Sequence, residues 1–213
     1  MSNTKKIGII GSGDLGQLIA HHALNYCGFN KVLFFDDYRA TNEVVNGCMV
    51  YGNINDVNMA YQKKEIDCLI IGIGYKHIEL RKRLFEGFMN VVPFASVIHP
   101  SAYIDITCKI GNGVVILPGC VLDMNVELQD NVLLNTGCVI AHDSFIGAHS
   151  FLSPKVAIAG FSEVGQCCNI GINTTVIDNI KISDFVQTGG ATVVINNLTL
   201  KGLYVGNPAK FIR

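Results

Sequence analysis

The chain has 213 residues, 16 Lys+Arg against 17 Asp+Glu, a formal net charge of −1, 49% apolar residues and 15% charged ones. Such a chain can bury a sizeable core, lacks the basic face of a nucleic-acid binder, and is too apolar and weakly charged to stay unfolded. No run of 18 apolar residues suggests a membrane span, and the few apolar residues after Met1–Lys6 are too short for a secretory core, so a cytoplasmic protein is expected.

The first half reads as a small α/β unit, residues 1–95. Lys5–Ile10 predicts a buried parallel strand, followed by the loop Gly11-Ser12-Gly13-Asp14-Leu15-Gly16 and a helix over Gln17–Asn25 with Leu18, Ala20, Ala23 and Leu24 at helical spacing. A second strand, Lys31–Phe35, ends on the acidic pair Asp36-Asp37. A third, Cys68–Gly74, leads into a helix over Ile78–Phe88 that carries a basic patch, Arg81-Lys82-Arg83. The Gly-x-Gly-x-x-Gly loop after a strand, with Asp36 twenty residues past Gly16, formally matches a dinucleotide fingerprint: glycines let backbone approach a phosphate at a helix N-terminus, and the acid takes a ribose hydroxyl. The unit is only half a Rossmann fold, so a nucleotide-linked or otherwise phosphorylated ligand is expected rather than a nicotinamide cofactor.

From Ile98 an aliphatic residue recurs every sixth position through Ile182, and a second register of small or β-branched residues, four of them cysteines, follows four residues later. A period of six fits neither a helix nor a plain strand; it fits a parallel β-helix of hexapeptides, with five 18-residue coils over residues 98–187. The aliphatic residues should point to the axis, the cysteines should be small core filler, and glycines such as Gly111, Gly147, Gly165 and Gly171 should allow the corner turns. With low charge and high apolar content, one face of such a prism is expected to meet another subunit.

Few side chains on a prism have chemical reach. His142, with Asp143 beside it, suits a general base oriented by a carboxylate, and His149 and His99 are further outward candidates. A backbone N–H at Gly160 suits an oxyanion donor. No Cys-x-x-Cys pair exists and Cys167-Cys168 are adjacent, so no metal site is expected.

The chain resembles the bacterial sugar acyltransferases of the sialic-acid O-acetyltransferase type, and within them the N-acetyltransferases acting on nucleotide-linked 4-amino-4,6-dideoxy sugars. The resemblance rests on Gly11-Ser12-Gly13, Phe35-Asp36-Asp37, Ile73-Gly74, Leu134-Asn135-Thr136, Val139-Ile140-Ala141-His142-Asp143, Ile146-Gly147, Gly171-Ile172-Asn173, Gly189-Gly190-Ala191-Thr192 and Val205–Lys210. It implies a left-handed β-helix over residues 96–213, a homotrimer, acetyl-CoA between neighbouring prisms, and a nucleotide sugar held by the N-terminal domain. By resemblance His142 is the general base, Asp143, in place of the usual Glu, orients it, and Gly160 donates to the thioester oxygen. Ile172, Asn173, Gly190 and Ala191 line the pantetheine groove, with Lys210 near the CoA phosphates. Gly11, Ser12, Gly13, Asp36, Asp37, Gly74 and Asn135 belong to the substrate site. Leu15 and Phe151 stand where some relatives have histidines, which leaves the nucleotide (UDP, dTDP or GDP) open. O-acetylation of a sugar and a non-catalytic sugar-nucleotide binder are the alternative readings.

Overall fold

The computed structural model describes residues 5–213; the first four residues of the N-terminal stretch read above lie outside the described residues. The chain divides into two compact units, the first ending at Val97 and the second spanning Ile98–Arg213.

The first unit is a five-stranded sheet of β1 (Lys6–Ile10), β2 (Lys31–Phe35), β3 (Val44–Val45), β4 (Cys48–Gly52) and β5 (Cys68–Ile71) in the order β3-β4-β2-β1-β5. All neighbours pair parallel except the β3–β4 hairpin. The hairpin was not anticipated, because Val44–Gly52 is interrupted by Asn46-Gly47, a turn pair flanked by runs too short to show alternation. Helix α1 (Asp14–Tyr26) buries Gly16, Ile19, Ala20 and Ala23, leaving Leu18 and Leu24 more than a third exposed, so its core face is rotated from the one the spacing suggested. A short helix α2 (Val57–Gln62) precedes β5, and α3 (Ile78–Phe88) follows it. Arg81 of α3 is fully buried and donates from one guanidinium nitrogen to Ile71 O and Ile73 O at 3.2 and 3.1 Å. The expected basic patch is therefore split, with Arg81 pinning α3 to the end of β5 and Lys82 in an i,i+4 pair with Glu86.

The second unit is a parallel β-helix. Two-residue strands stack with an 18-residue offset, as in Val121↔Val139↔Ala157↔Thr175↔Val193. The aliphatic register and the register four residues later share one core, with Ile116, Leu122, Leu134, Ile140, Leu152 and Ile170 fully buried beside Cys120, Cys138 and Cys168. Burying each aliphatic side chain stabilises by about 1.5–3 kcal/mol. At the C-terminus, strand Gly202–Val205 joins the prism and is covered by the antiparallel strand Lys210–Phe211.

One expectation needs correction. Gly111, Gly147, Gly165 and Gly171 are not the left-handed corner residues. The corners have positive φ at Gly113, Asn131, His149, Cys167 and Phe185, at Gly119, Gly137, Lys155, Asn173 and Ala191, and at Asn125, Asp143, Phe161 and Asn179. Gly147 is required instead by stacking, since a Cβ there would lie 2.5 Å from the backbone of Gly165 one coil on. The cysteines fill the core as expected, and small residues of this register also make hydrogen bonds. Cys120, Cys138 and Cys168 thiols and Ser144, Ser150 and Ser162 hydroxyls each donate to the carbonyl fifteen residues ahead, at 2.8–3.2 Å. Part-buried carbonyls near the corners gain a donor this way.

Ser150 also accepts from Cys168 N–H at 3.0 Å while donating to Gly165 O. Ser150→Ala should destabilise by about 1–3 kcal/mol by leaving both groups unpaired. Ser150→Cys should recover much of that loss, because thiols fill the same role in this register. Chemical denaturation of the three proteins measures both.

Candidate active site

The acidic end of the first unit forms around β1 and β2. Gly11 (φ +95°) turns the chain, and Gly16 lies so close to Gly11 O that a Cβ would clash with it, which lets α1 begin directly on the turn. Ser12 is buried and gives Asp36 Oδ2 both its N–H (2.8 Å) and its hydroxyl (2.7 Å), while Tyr38 N–H donates to Oδ1 at 2.9 Å. Burial alone would raise the Asp36 carboxyl; the Ser12 and Tyr38 donors and the Arg39 charge outweigh it and hold the pKa below the ordinary value. Asp36 thus locks the glycine loop to the end of β2. Asp37 accepts from Ile54 N–H at 2.9 Å.

Beside this lock lies a cavity of about 420 Å³. Its apolar walls are Gly11, Phe35, Ile54, Ile73 and Leu80, and its polar groups come from Asp36, Asp37, Tyr38, His77 and Arg83. An apolar slot with carboxylates at one wall, the Arg83 guanidinium on α3 and the His77 imidazole on the turn before it suits a ligand that is part apolar and part charged. Gly11, Asp36 and Asp37 were anticipated on this wall. Ser12 acts behind it, Gly13 is the α1 N-cap and Gly74 begins the turn to α3 by accepting from His77 N–H. Tyr38, His77 and Arg83 were not singled out as ligand groups; Arg83 was legible only as part of a charge run.

On the prism the corner columns place the chemistry. Asp143, one coil above Asn125, adopts the left-handed conformation and accepts from Asn125 Nδ2 at 2.9 Å and from His142 Nδ1 at 3.0 Å. The His142 hydrogen bond, then that of Asn125, holds the Asp143 carboxyl below its ordinary range. An ionised carboxylate only accepts, so Nδ1 donates to Asp143, which in the neutral ring leaves the lone pair on Nε2. The imidazole lies against Gly160, one coil on: a Cβ there would sit 2.8 Å from His142 Cε1 and 2.9 Å from Nε2. Gly160 N–H has no hydrogen-bond acceptor in the described residues. Asn125 was missed, and the signal that finds it is the 18-residue spacing to Asp143.

The other anticipated residues sort by corner. Asn135 sits in the corner of Gly137, where its side chain accepts from Thr136 N–H at 2.8 Å, and not in the corner of His142. Ile172, Asn173, Gly190 and Ala191 stack on that same corner two and three coils up: Ala191 N–H donates to Ile172 O, and a Cβ on Gly190 would crowd Ile172 at 3.1 Å. Gly190 leaves bare backbone beside Ile172, which is half-exposed. Lys210 is exposed on the last strand, paired with Val205. His149, expected to face outward, is buried, with Nδ1 3.1 Å from Asn131 Nδ2. His99 Nδ1 lies 2.7 Å from Ser101 Oγ.

Residues 6–88 match the PglD N-terminal domain family. The whole chain superposes on PerB from Caulobacter crescentus, solved with CoA and GDP-perosamine, at a TM-score of 0.90 and 28% identity, covering 98% of this chain and 97% of that one. It also superposes on the acetyltransferase domain of PglB from Neisseria gonorrhoeae bound to acetyl coenzyme A, at a TM-score of 0.90 and 25% identity, covering 99% and 100%. By sequence, a UDP-3-O-acylglucosamine N-acyltransferase of Delftia acidovorans is 33% identical over 61 residues, 29% of this chain. The chain spans only 18% of that curated relative's length. The fold is thus a half-Rossmann unit followed by a parallel β-helix, the build of a hexapeptide-repeat acyltransferase. Within that class the chain is similar over nearly its whole length to PerB and to the PglB acetyltransferase domain, and its first unit matches the PglD-type N-terminal domain.

The Asp36 lock makes a pH prediction. A carboxyl whose folded pKa is depressed contributes stability that is present above its unfolded pKa and is lost as pH falls through the folded one. Carboxyl NMR should find Asp36 titrating below 3.8 in the native chain, and Ser12→Ala should move it upward. The variant should then lose the acid-side stability of the loop at a higher pH than the parent.

Proposed function

We propose that the chain transfers the acetyl group of acetyl-CoA to the amine on C4 of a nucleotide-linked 4-amino-4,6-dideoxy sugar, in the biosynthesis of a surface glycan. The observation that carries this reading is the Asn125–Asp143–His142 chain of hydrogen bonds, which leaves Nε2 of His142 free beside an unpaired Gly160 N–H. His142 Nε2 takes the proton of the amine as its nitrogen bonds to the thioester carbonyl carbon. Asp143 stabilises the imidazolium so formed, and Gly160 N–H donates to the oxygen on which charge develops. When the carbon–sulfur bond breaks, His142 returns its proton to the departing CoA sulfur, so the base is restored. The cavity at Asp36, Asp37 and Arg83 serves the nucleotide, and the strip at Ile172, Asn173, Gly190 and Ala191 serves pantetheine, with Lys210 toward the CoA phosphates.

The proposal includes a homotrimer working in the cytoplasm, where acetyl-CoA and nucleotide sugars are made. Between the His142 corner and the Ile172 corner runs one face whose outward row is Tyr103, Val121, Val139, Ala157, Thr175 and Val193, with the first three exposed. The next face carries Lys109, Glu127, Phe145, Glu163 and Lys181, cross-linked by ion pairs and suited to water. Three prisms packed through the apolar face would set the His142 corner of each against the Ile172 corner of a neighbour. A base and an acyl groove on different corners are then joined in one site.

Steady-state assays with paired amino and hydroxy nucleotide sugars test the reaction. His142→Ala should lower kcat by about 10²–10⁴-fold with little change in the KM for acetyl-CoA, and Asp143→Asn should cost less. Near-parental turnover in His142→Ala rejects the assignment of the base. Val139→Glu should convert the trimer to monomers in sedimentation and abolish turnover; a monomeric parent rejects the assembly.

A further inference from the structure

Phe161 is the one residue in its corner column that is neither Asn nor Asp. Asn125, Asp143, Phe161 and Asn179 stack at 18-residue intervals with φ between 56° and 59°, a conformation that Asn and Asp tolerate and a bulky aromatic side chain rarely adopts. Its N–H donates to His142 O at 3.2 Å, as the N–H of each such corner residue does to the coil below, so the backbone there asks nothing of a phenyl ring. The ring is 56% exposed and contributes little to the core. It stands edge-to-face with the His142 imidazole, centroids 5.0 Å apart and planes at 85°. An exposed aromatic ring in an unfavourable conformation, against the base, points to a substrate contact rather than to folding.

We propose that Phe161 is a specificity-determining residue: its exposed ring is the apolar wall that receives the C6 methyl group of the acceptor sugar beside the His142 base. This rests on the reaction proposed above. With the C4 amine at His142 Nε2, C6 lies only two bonds from the amine-bearing carbon, on the flank of the imidazole, and a ring packed against that imidazole can meet it. A methyl group gains from contact with the ring, whereas a hydroxyl at C6 would be stripped of water with no partner on that wall.

The test compares two nucleotide-linked 4-amino sugars, one with a C6 methyl group and one with a C6 hydroxymethyl group. The parent should favour the methyl acceptor in kcat/KM by about 10–100-fold, the discrimination an apolar wall achieves. Phe161→Asn, which suits the corner as Asn125 and Asn179 do, should reduce the preference to less than about threefold through the KM for the methyl acceptor. Phe161→Tyr should retain the preference, and the KM for acetyl-CoA should be unchanged in both. Sedimentation and thermal unfolding accompany the kinetics. An unchanged preference in Phe161→Asn, an equal loss with both acceptors, or a loss that follows dissociation of the oligomer overturns the role of Phe161 while leaving the reaction standing. A parent chain that acetylates no amino sugar overturns both.

Discussion

The left-handed corner residue and its hydrogen bond to the coil below carry the rest of the second unit. Asn131, Asp143, His149, Lys155, Phe161, Cys167, Asn173 and Ala191 each turn their N–H to a carbonyl nineteen residues back. For residues other than Gly, Asn and Asp that conformation costs about 1–2 kcal/mol. Leaving the corner N–H and carbonyl unpaired would cost a comparable or larger amount for each group that is buried. Stacking therefore enforces the corner even where its side chain resists it, and Lys155, Phe161 and Cys167 are held there by their neighbours.

The same constraint builds the chemistry. At the corners, as along the strands, side chains from successive coils stand over one another. Asn125, Asp143 and Phe161 form one such column, with His142 over Gly160 in the column beside it. The His142 imidazole is thereby fixed by the Asp143 carboxylate, by the bare backbone of Gly160 one coil on and by the edge-to-face Phe161 ring. Positioning by a rigid stack leaves little freedom to lose when substrates arrive, which favours rate. In the first unit the equivalent device is Asp36, whose two hydrogen bonds from Ser12 tie the glycine loop to the neighbouring strand.

Much of this was legible because the signals were periodic. The sixfold repeat fixes the β-helix and its core register, and His142-Asp143 stands out because few other prism residues can move a proton. What was not legible depended on contacts between coils. The glycines at 147 and 165 were read as turns because sequence does not reveal that a Cβ there would strike the next coil. Cysteines of the second register fill the core as read, but that they and the serines there also donate to carbonyls fifteen residues on was not legible. His149 was read as outward because its corner resembles that of His142 in sequence, yet it is buried. In the first unit Arg81, Lys82 and Arg83 are adjacent in sequence, and only the helix phase separates a core anchor, an ion pair and a pocket wall.

The uninterrupted stack also restricts how such a chain can change length. Eighteen residues added or removed outside residues 125–161 would return every strand, corner and donor to an equivalent place. Six or twelve would preserve the hydrophobic register and the core, yet rotate everything downstream by one or two corners. A change of six between Asp143 and Gly160 would keep the prism sound while carrying Gly160 away from the His142 imidazole. For this architecture, drift in length that leaves folding intact can still dismantle the site, so lineages that keep the chemistry are confined to whole turns.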